Sequence, residues 1–182
     1  MEMGTGKTKV AIDNAAYLFQ DQRINYVFVI APNSVYQNWK KEIDVHCPEE
    51  TNIYIWKVTK DKTFKLDPKK LTFILMNVEA LSHASGKKWL EYKLLKHGMR
   101  SMIILDESTS IKNLKASRSK AIIKLGQLAR YKRILTGSPI TKSPLDLFSQ
   151  CAFLDKALLG YDNFTVFKSK YAVMYSIERG GY

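Results

Sequence analysis

A glycine-rich segment near the start of the chain has residue types suited to holding an anion. It reads Gly4-Thr5-Gly6-Lys7-Thr8 and runs directly into an amphipathic segment. Glycines let the backbone turn its N–H groups towards one phosphate, and the start of a helix adds partial positive charge. Lys7 can then reach terminal phosphate oxygens, and the Thr8 hydroxyl can bind Mg²⁺. The segment predicts a phosphate-binding loop, although a Gly-Lys-Thr triplet also occurs by chance.

Two adjacent carboxylates form the second candidate element. Asp106-Glu107 follows the apolar run Met102–Leu105. Ligands of open α/β sheets bind at the carboxyl ends of strands, where this order places both acids. Asp106 can hold Mg²⁺ through its water shell, and Glu107 can orient or deprotonate an attacking water. The alternative is an ordinary acidic loop after a buried strand, which the presence of a phosphate loop disfavours.

The elements that must position these residues are short apolar runs separated by amphipathic segments. The runs are continuously apolar or β-branched rather than alternating, as expected of parallel strands buried on both faces. They are Tyr26–Ala31, Ile53–Val58, Leu71–Met76, Met102–Leu105 and Arg133–Thr136. Strands that alternate with helices predict the α/β class, with a doubly wound, mainly parallel sheet.

Helical spacing joins the apolar residues between these runs. Two stripes comprise Ile12, Ala15, Ala16 and Phe19, and then Val35, Trp39 and Ile43. A third helix is expected to begin at Ser143-Pro144-Leu145-Asp146, with a serine cap, proline in the first turn and an acid close behind. Its inward face is predicted to carry Leu147, Phe148, Cys151 and Leu154.

The charge balance indicates an anionic partner. The 182 residues, a length typical of one domain, include 29 Lys or Arg against 17 Asp or Glu, for a net charge of +12. Such an excess favours nucleic acid before anionic lipid. The lysine-rich stretch 57–70 is expected to be a solvated loop rather than a binding site.

Composition excludes disordered and membrane-embedded classes, with 46% hydrophobic and 25% charged residues. No apolar run approaches the ~20 residues of a membrane-spanning helix, and no signal pattern opens the chain. We therefore expect an intracellular protein without a membrane partner, in the cytoplasm, the nucleoid or nucleus, or a host cell if the protein is viral. Cys47 and Cys151 are expected to be reduced thiols, which disfavours zinc.

Five segments in order resemble the first RecA-like lobe of helicase-like ATPases of superfamily two, most closely the Swi/Snf-type double-stranded DNA translocases. Glu2 to Thr8 resembles motif I, and Ala31–Val35 with Asn38-Trp39 and Glu42 resembles motif Ia. Ile74–Glu79 lies where this family has motif Ib. Residues 106–109, followed by 111–113, resemble motif II. Leu135–Ile140, followed by Leu145, Leu147 and Phe148, resembles motif III.

This resemblance implies a three-layer P-loop NTPase (RecA-like) lobe over residues 1–155 and a tail over 156–182 that leads towards a second RecA-like lobe outside the chain. It implies an ATP hydrolase, stimulated by DNA, that uses Mg²⁺ and translocates on double-stranded DNA. Gly4, Thr5, Gly6 and Lys7 would bind the triphosphate, Thr8 and Asp106 the Mg²⁺, and Glu107 would activate water. Thr136, Gly137 and Ser138 would couple the site to DNA, and the expected DNA contacts are Pro32, Asn33, Asn77 and Lys112.

The chain departs from the family pattern in three places. Ser108 and Thr109 stand where the family usually has alanine or glycine and then histidine, so coupling is expected to be wired differently. The strand that leads into motif I and the second lobe are both expected to lie outside the chain. Since the second lobe supplies an arginine finger, the chain alone is expected to hydrolyse ATP barely.

Other interpretations stay open from the sequence. The chain can be a strand-separating helicase, a helicase-like remnant that binds nucleic acid without turnover, or a phosphate-loop kinase or transferase. Pro32 and Asn33 can simply form a turn and helix cap, and Lys112 can be a surface lysine. Trp39 is expected to pack in the core rather than stack on bases, because translocases on duplex DNA grip the backbone.

Overall fold

The structure of the protein is a computed structural model that describes residues 5–57, 67, 69–140, 143–161 and 163–172. This part of the chain alternates strands with helices. The strands are β1 (Tyr26–Ala31), β2 (Thr51–Ile55), β3 (Leu71–Asn77), β4 (Ser101–Asp106) and β5 (Tyr131–Leu135). The α-helices are α1 (Lys7–Gln20), α2 (Tyr36–His46), α3 (Ala84–His97), α4 (Ser117–Gly126), α5 (Leu147–Leu154) and α6 (Phe164–Tyr171).

The strands form one parallel sheet in the order β2-β3-β1-β4-β5. The predicted parallel sheet is therefore confirmed, with β1 at its centre. β2 and β5 begin two residues earlier than predicted and also end earlier. Both lie at the edges of the described sheet and are only partly buried, so polar residues such as Lys132 and Arg133 are tolerated there. A search for apolar runs misses such residues.

Helices cover both faces of the sheet, which confirms the doubly wound, three-layer architecture. Successive residues of β1 point to opposite faces, so that Val27 and Val29 belong to one core and Phe28 and Ile30 to the other. The first core packs against α1 and α2, for example through Ile12, Trp39 and Ile43. The second packs against α3, α4 and α5, through Leu90, Leu94, Ile122, Leu125 and Phe153.

The start of the third predicted helix is confirmed, and its predicted inward face is confirmed in part, since Phe148 is buried and Leu154 packs against the core. Ser143 caps a short 3₁₀ turn (Pro144–Asp146), since its Oγ accepts the N–H of Leu145 at 3.2 Å. The α-helix that follows this turn, α5, buries Phe148, Ser149, Gln150 and Phe153. Of the predicted face, Phe148 is buried, whereas Leu147, Cys151 and Leu154 are only partly so. Two polar residues, Ser149 and Gln150, are therefore buried at positions that a search for apolar residues at helical spacing does not predict.

Two further expectations concern segments away from the sheet. Most of the lysine-rich stretch, residues 58–66 and 68, lies outside the described residues, while Lys57 beside it is exposed. Among the described helices, none combines the length and the apolar character that crossing a membrane requires.

Candidate nucleotide-binding site

The predicted phosphate loop leads into α1 with the expected backbone geometry. Gly6 has φ of 77°, in the left-handed region that favours glycine, and α1 begins at the next residue. The N–H of Val10 then donates to the carbonyl oxygen of Gly6 at 3.1 Å. No acidic side chain occupies the first turn of α1, so no carboxylate there offsets the positive end of the helix. Gly4 lies outside the described residues, while Thr5 to Thr8 are placed as predicted at the helix start.

A cleft of about 500 Å³ brings the predicted catalytic residues together. It lies beyond the carboxyl ends of β1, β4 and β5, as expected for a ligand site of an open α/β sheet. Residues from four separate parts of the chain line it, namely Lys7, Pro32, Ser34, Val35, Asn38, Asp106, Glu107 and Gly137. The sequence prediction of Lys7, Asp106 and Glu107 as one site therefore agrees with their spatial arrangement, and Pro32, predicted near DNA, lies in the same cleft.

Both carboxylate oxygens of Asp106 are held by hydrogen bonds. The indole Nε1 of Trp39 donates to Oδ2 at 2.8 Å, and the backbone N–H of Glu107 donates to Oδ1 at 2.9 Å. Burial raises the pKa of the Asp106 carboxyl above its ordinary value, while the two hydrogen bonds and the positive charge of Lys7 oppose that rise. The carboxylate therefore has a fixed orientation towards the cleft.

Trp39 is fully buried, which confirms the prediction that it packs in the core. Its hydrogen bond to Asp106, from a residue 67 positions away, is a second role that the sequence did not indicate. The apolar stripe of α2 accounts for the burial of the ring but says nothing about where its N–H points. That direction depends on β1 and β4 being neighbours in the sheet, because α2 follows β1 and Asp106 ends β4.

Glu107 has an unusual backbone conformation and a well-defined side chain. Its φ of 50° and ψ of 63° lie in the left-handed region, which non-glycine residues adopt only uncommonly. Oε1 accepts the hydroxyl of Thr109 at 2.7 Å and that of Thr136 at 3.3 Å. The carboxylate is thus connected to the turn that follows β4 and to the residue that follows β5.

The three predicted coupling residues lie in the segment after β5. Thr136 contacts Glu107 and also accepts the backbone N–H of Ser138 through its Oγ1 at 3.2 Å. Gly137 lines the cleft, whereas Ser138 is exposed. The segment therefore extends from the Glu107 carboxylate to the protein surface.

The four residues predicted near DNA occupy three places. Asn33 and Asn77 line a cavity of about 600 Å³ beside the carboxyl end of β3, together with Gln37, Trp56, Lys57, Glu79 and His83 among others. Asn77 also caps the following 3₁₀ turn, where its Oδ1 accepts the N–H of Glu79 at 2.7 Å. Pro32 lies in the cleft that contains Lys7 and Asp106, and the Lys112 ammonium lies 3.3 Å from the carboxylate of Asp146.

Comparison with known proteins identifies the family that combines these features. The family model for the SNF2-related domain matches residues 1–178. The chain belongs to the SNF2-related family. The RecA-like lobe expected from the resemblance is thereby confirmed at the level of family and fold.

Proteins similar to this SNF2-related domain include one named as a regulator of chromatin and one named as a chromatin-remodelling ATPase. A "SWI/SNF-related matrix-associated actin-dependent regulator of chromatin subfamily A-like protein 1 homolog" of Caenorhabditis elegans is 29% identical over 170 residues, which cover 93% of this chain and 23% of that protein. The "Chromatin-remodeling ATPase INO80" of Aspergillus oryzae is 31% identical over 178 residues, which cover 93% of this chain and 12% of that protein. The chain thus spans less than a quarter of the length of these relatives.

A solved structure gives the same assignment. The "Sulfolobus solfataricus SWI2/SNF2 ATPase core in complex with dsDNA" superposes with a TM-score of 0.72 at 28% identity. The match covers 93% of this chain and 33% of that one. The five-stranded parallel sheet with helices on both faces is therefore the arrangement of an SNF2 ATPase core.

Proposed function

We propose that this SNF2-related domain is the ATP-binding lobe of a DNA-dependent ATPase that translocates on double-stranded DNA. The observation that carries the proposal is the cleft in which Lys7, Asp106, Glu107 and Gly137 meet at the carboxyl ends of parallel strands. Relatives described as chromatin-remodelling ATPases, and a similar core solved with double-stranded DNA, support it. An intracellular location is consistent with such relatives.

In this proposal the phosphate loop and the start of α1 bind the triphosphate of ATP. Gly4, Thr5 and Gly6 supply backbone N–H groups, the helix start adds positive charge, and the Lys7 ammonium neutralises terminal phosphate oxygens. These groups suit a polyanion, because no acidic side chain lies in the first helical turn. The role of the loop is to bind and orient the nucleotide.

The candidate oxygen donors have the chemistry that Mg²⁺ requires. Asp106 lines the cleft with a carboxylate, and Thr8, which follows the cleft residue Lys7 in the chain, provides a hydroxyl. Hard oxygen ligands are the ones that this cation prefers. Within the described residues no group of three or more His, Cys, Asp or Glu could hold a metal. Mg²⁺ usually keeps several waters and binds one or two carboxylates together with substrate phosphates. Bound Mg²⁺ would neutralise charge on the phosphates.

Glu107 is proposed to orient the attacking water and to accept its proton. A bond forms between the water oxygen and the γ-phosphorus, the bond to the oxygen bridging the β- and γ-phosphates breaks, and ADP and phosphate leave. The hydroxyls of Thr109 and Thr136 hold the carboxylate in place for this step. Thr136, Gly137 and Ser138 then report the state of the γ-phosphate to the surface.

Double-stranded DNA is the proposed partner, gripped through its backbone. The net charge of +12 favours a polyanion. The candidate contacts are Asn33 and Asn77, which line one cavity, together with Pro32 in the cleft and Lys112 beside Asp146. Contacts to phosphates carry no sequence information, as a motor that moves along any sequence requires.

The test of this function is ATP hydrolysis measured with and without duplex DNA, for the chain alone and with a second RecA-like lobe added. We expect DNA-stimulated turnover only with both lobes, since loss of an arginine finger costs about 10³-fold or more. Strong turnover by the chain alone would contradict the need for a second lobe. Displacement of a labelled strand would favour a strand-separating helicase, and no turnover under any condition would favour a non-catalytic remnant.

Replacement of Trp39 by phenylalanine tests the orientation of Asp106. The variant keeps an aromatic ring in the core but removes the N–H that holds Oδ2. We expect Mg-ADP affinity to fall about three- to tenfold, the effect of one net hydrogen bond, with ADP binding in EDTA unchanged. Calorimetry measures both affinities.

The matched control is Trp56→Phe, because Trp56 is buried in the opposite core. It should leave the ratio of the two affinities unchanged. An equal loss of affinity with and without Mg²⁺ in Trp39→Phe would show that Trp39 only packs.

A further inference from the structure

The side-chain amide of Gln150 connects three separate segments inside the protein. Gln150 lies on α5 and is fully buried. Its Oε1 accepts the hydroxyl of Ser108 at 2.5 Å, and its Nε2 donates to the carbonyl oxygens of Pro139 at 2.7 Å and Asp146 at 2.9 Å. Both N–H bonds of the amide are used and its oxygen is occupied, so the group has one well-defined orientation.

Two of these segments belong to the catalytic cleft. Ser108, also fully buried, directly follows Glu107, and Pro139 lies three residues after Thr136. The turn after β4 and the segment after β5 are also joined beside the cleft. There the hydroxyl of Thr136 donates to the Glu107 carboxylate at 3.3 Å. The turn after β4 and the segment after β5 are therefore linked twice, once beside the nucleotide and once through Gln150.

An ion pair strengthens the same connection at the start of α5. The Lys112 ammonium lies 3.3 Å from the Asp146 carboxylate, and both side chains are only about one-sixth exposed, at 15% and 16%. Lys112 directly follows the 3₁₀ turn Ser108–Ile111, and Asp146 is the residue whose carbonyl oxygen accepts from Gln150. The turn after β4 is thus attached to α5 at both of its ends.

From this geometry we propose that Gln150, with Ser108, is a positioning residue that transmits displacements of the Glu107 turn to the segment 138–140. The proposal rests on the proposed function, and it adds a residue and a route to it. When the Glu107 turn moves, Ser108 moves with it, and a buried amide cannot exchange that hydrogen bond for one to water. The displacement is therefore shared with the Pro139 carbonyl.

The segment that receives this displacement is accessible to a partner. Ser138, Pro139 and Ile140 are all exposed, with Ile140 at 46%. Ser108 also occupies the position where the family that the sequence resembles usually has alanine or glycine, neither of which can donate a side-chain hydrogen bond. Gln150 thus supplies this chain with a hydrogen-bonded connection in the region where the usual histidine is replaced by Thr109.

Hydrogen exchange of the chain, with and without the non-hydrolysable Mg-AMPPNP, tests this route in Gln150→Leu. In the unsubstituted chain the nucleotide should slow exchange both around Glu107 and in the segment 138–140. In the variant the slowing around Glu107 should remain, and that in 138–140 should fall by about fivefold or more, the lower range of coupling between sites. Ser108→Ala, a smaller change, should have the same effect in the same direction.

The matched control is Ser149→Ala. Ser149 neighbours Gln150 on α5 and is buried, and its Oγ has no hydrogen-bond partner among the described residues. This variant should leave the nucleotide response of 138–140 intact. A purely structural role of Gln150 would instead speed exchange equally with and without nucleotide.

The possible results distinguish failure of this inference from failure of the proposed function. If Gln150→Leu and Ser108→Ala both keep the full response in 138–140, the inference fails and the proposed function stands. The same holds if the unsubstituted chain responds only around Glu107. If the unsubstituted chain shows no response to Mg-AMPPNP anywhere, the proposed function fails and the inference fails with it.

Discussion

Replacing Lys7 by alanine is expected to weaken binding of Mg-ADP and Mg-ATP by about ten- to a hundredfold. Hydrogen bonds to charged groups contribute about 1.5–3 kcal/mol. The Lys7 ammonium brings a positive charge to the same cleft as the carboxylates of Asp106 and Glu107. Calorimetry on the purified chain measures the change. Binding of the triphosphate should suffer more than that of the diphosphate, because Lys7 is proposed to reach the γ-phosphate.

Lys9 provides the control for this prediction. It lies on the same helix, two residues later, and its exposed ammonium pairs with Asp13 at 2.6 Å. Lys9→Ala removes the same charge from the same region, and its effect on affinity should be small because that charge is screened by solvent. Equal losses in the two variants would mean that net charge, and not a formed phosphate loop, attracts the nucleotide.

Glu107→Gln is expected to lower ATP hydrolysis by about 10²–10⁴-fold, the usual contribution of a positioned general base. The amide oxygen can still accept from Thr109 and Thr136, so the side chain keeps its place but cannot take a proton. Nucleotide affinity should remain close to that of the unsubstituted protein. Turnover is measured with the second lobe and duplex DNA present, and affinity by calorimetry.

Glu79→Gln is the matched control, because Glu79 is exposed and lines the neighbouring cavity. It removes one negative charge near the candidate DNA contacts and should leave the rate of hydrolysis within about twofold, as surface substitutions usually do. If Glu107→Gln retained full turnover, another group would have to activate the water. The proposed role of Glu107 would then be withdrawn.

The site combines a rigid part and a strained part. Asp106 is held by Trp39 and by the backbone of Glu107, while Glu107 itself adopts a left-handed conformation. Residues held in such conformations persist where surrounding structure imposes them, often at functional sites. The arrangement therefore fixes the proposed Mg²⁺ ligand beside a turn that surrounding contacts hold in an uncommon backbone conformation.

The sequence by itself determined the fold class and most of the cleft. The strands β1, β3 and β4 are buried on both faces, so each appears in the sequence as a nearly continuous apolar run. Such runs can be recognised without knowledge of the tertiary structure. The phosphate loop and the pair Asp106-Glu107 are local patterns whose position at strand or helix ends follows from the chain order. Five ordered motifs then pointed to the family that the comparison confirms.

Only the tertiary structure decided which polar side chains meet. Trp39 donates to Asp106 across 67 positions of sequence, and Ser108 to Gln150 across 42. Helical periodicity predicts that such residues are buried or exposed, but not the direction of an N–H or hydroxyl. Those contacts depend on β4 lying between β1 and β5 and on which face of α5 is buried. Strand order and helix phase are properties of the packed chain, because they depend on which surfaces bury one another.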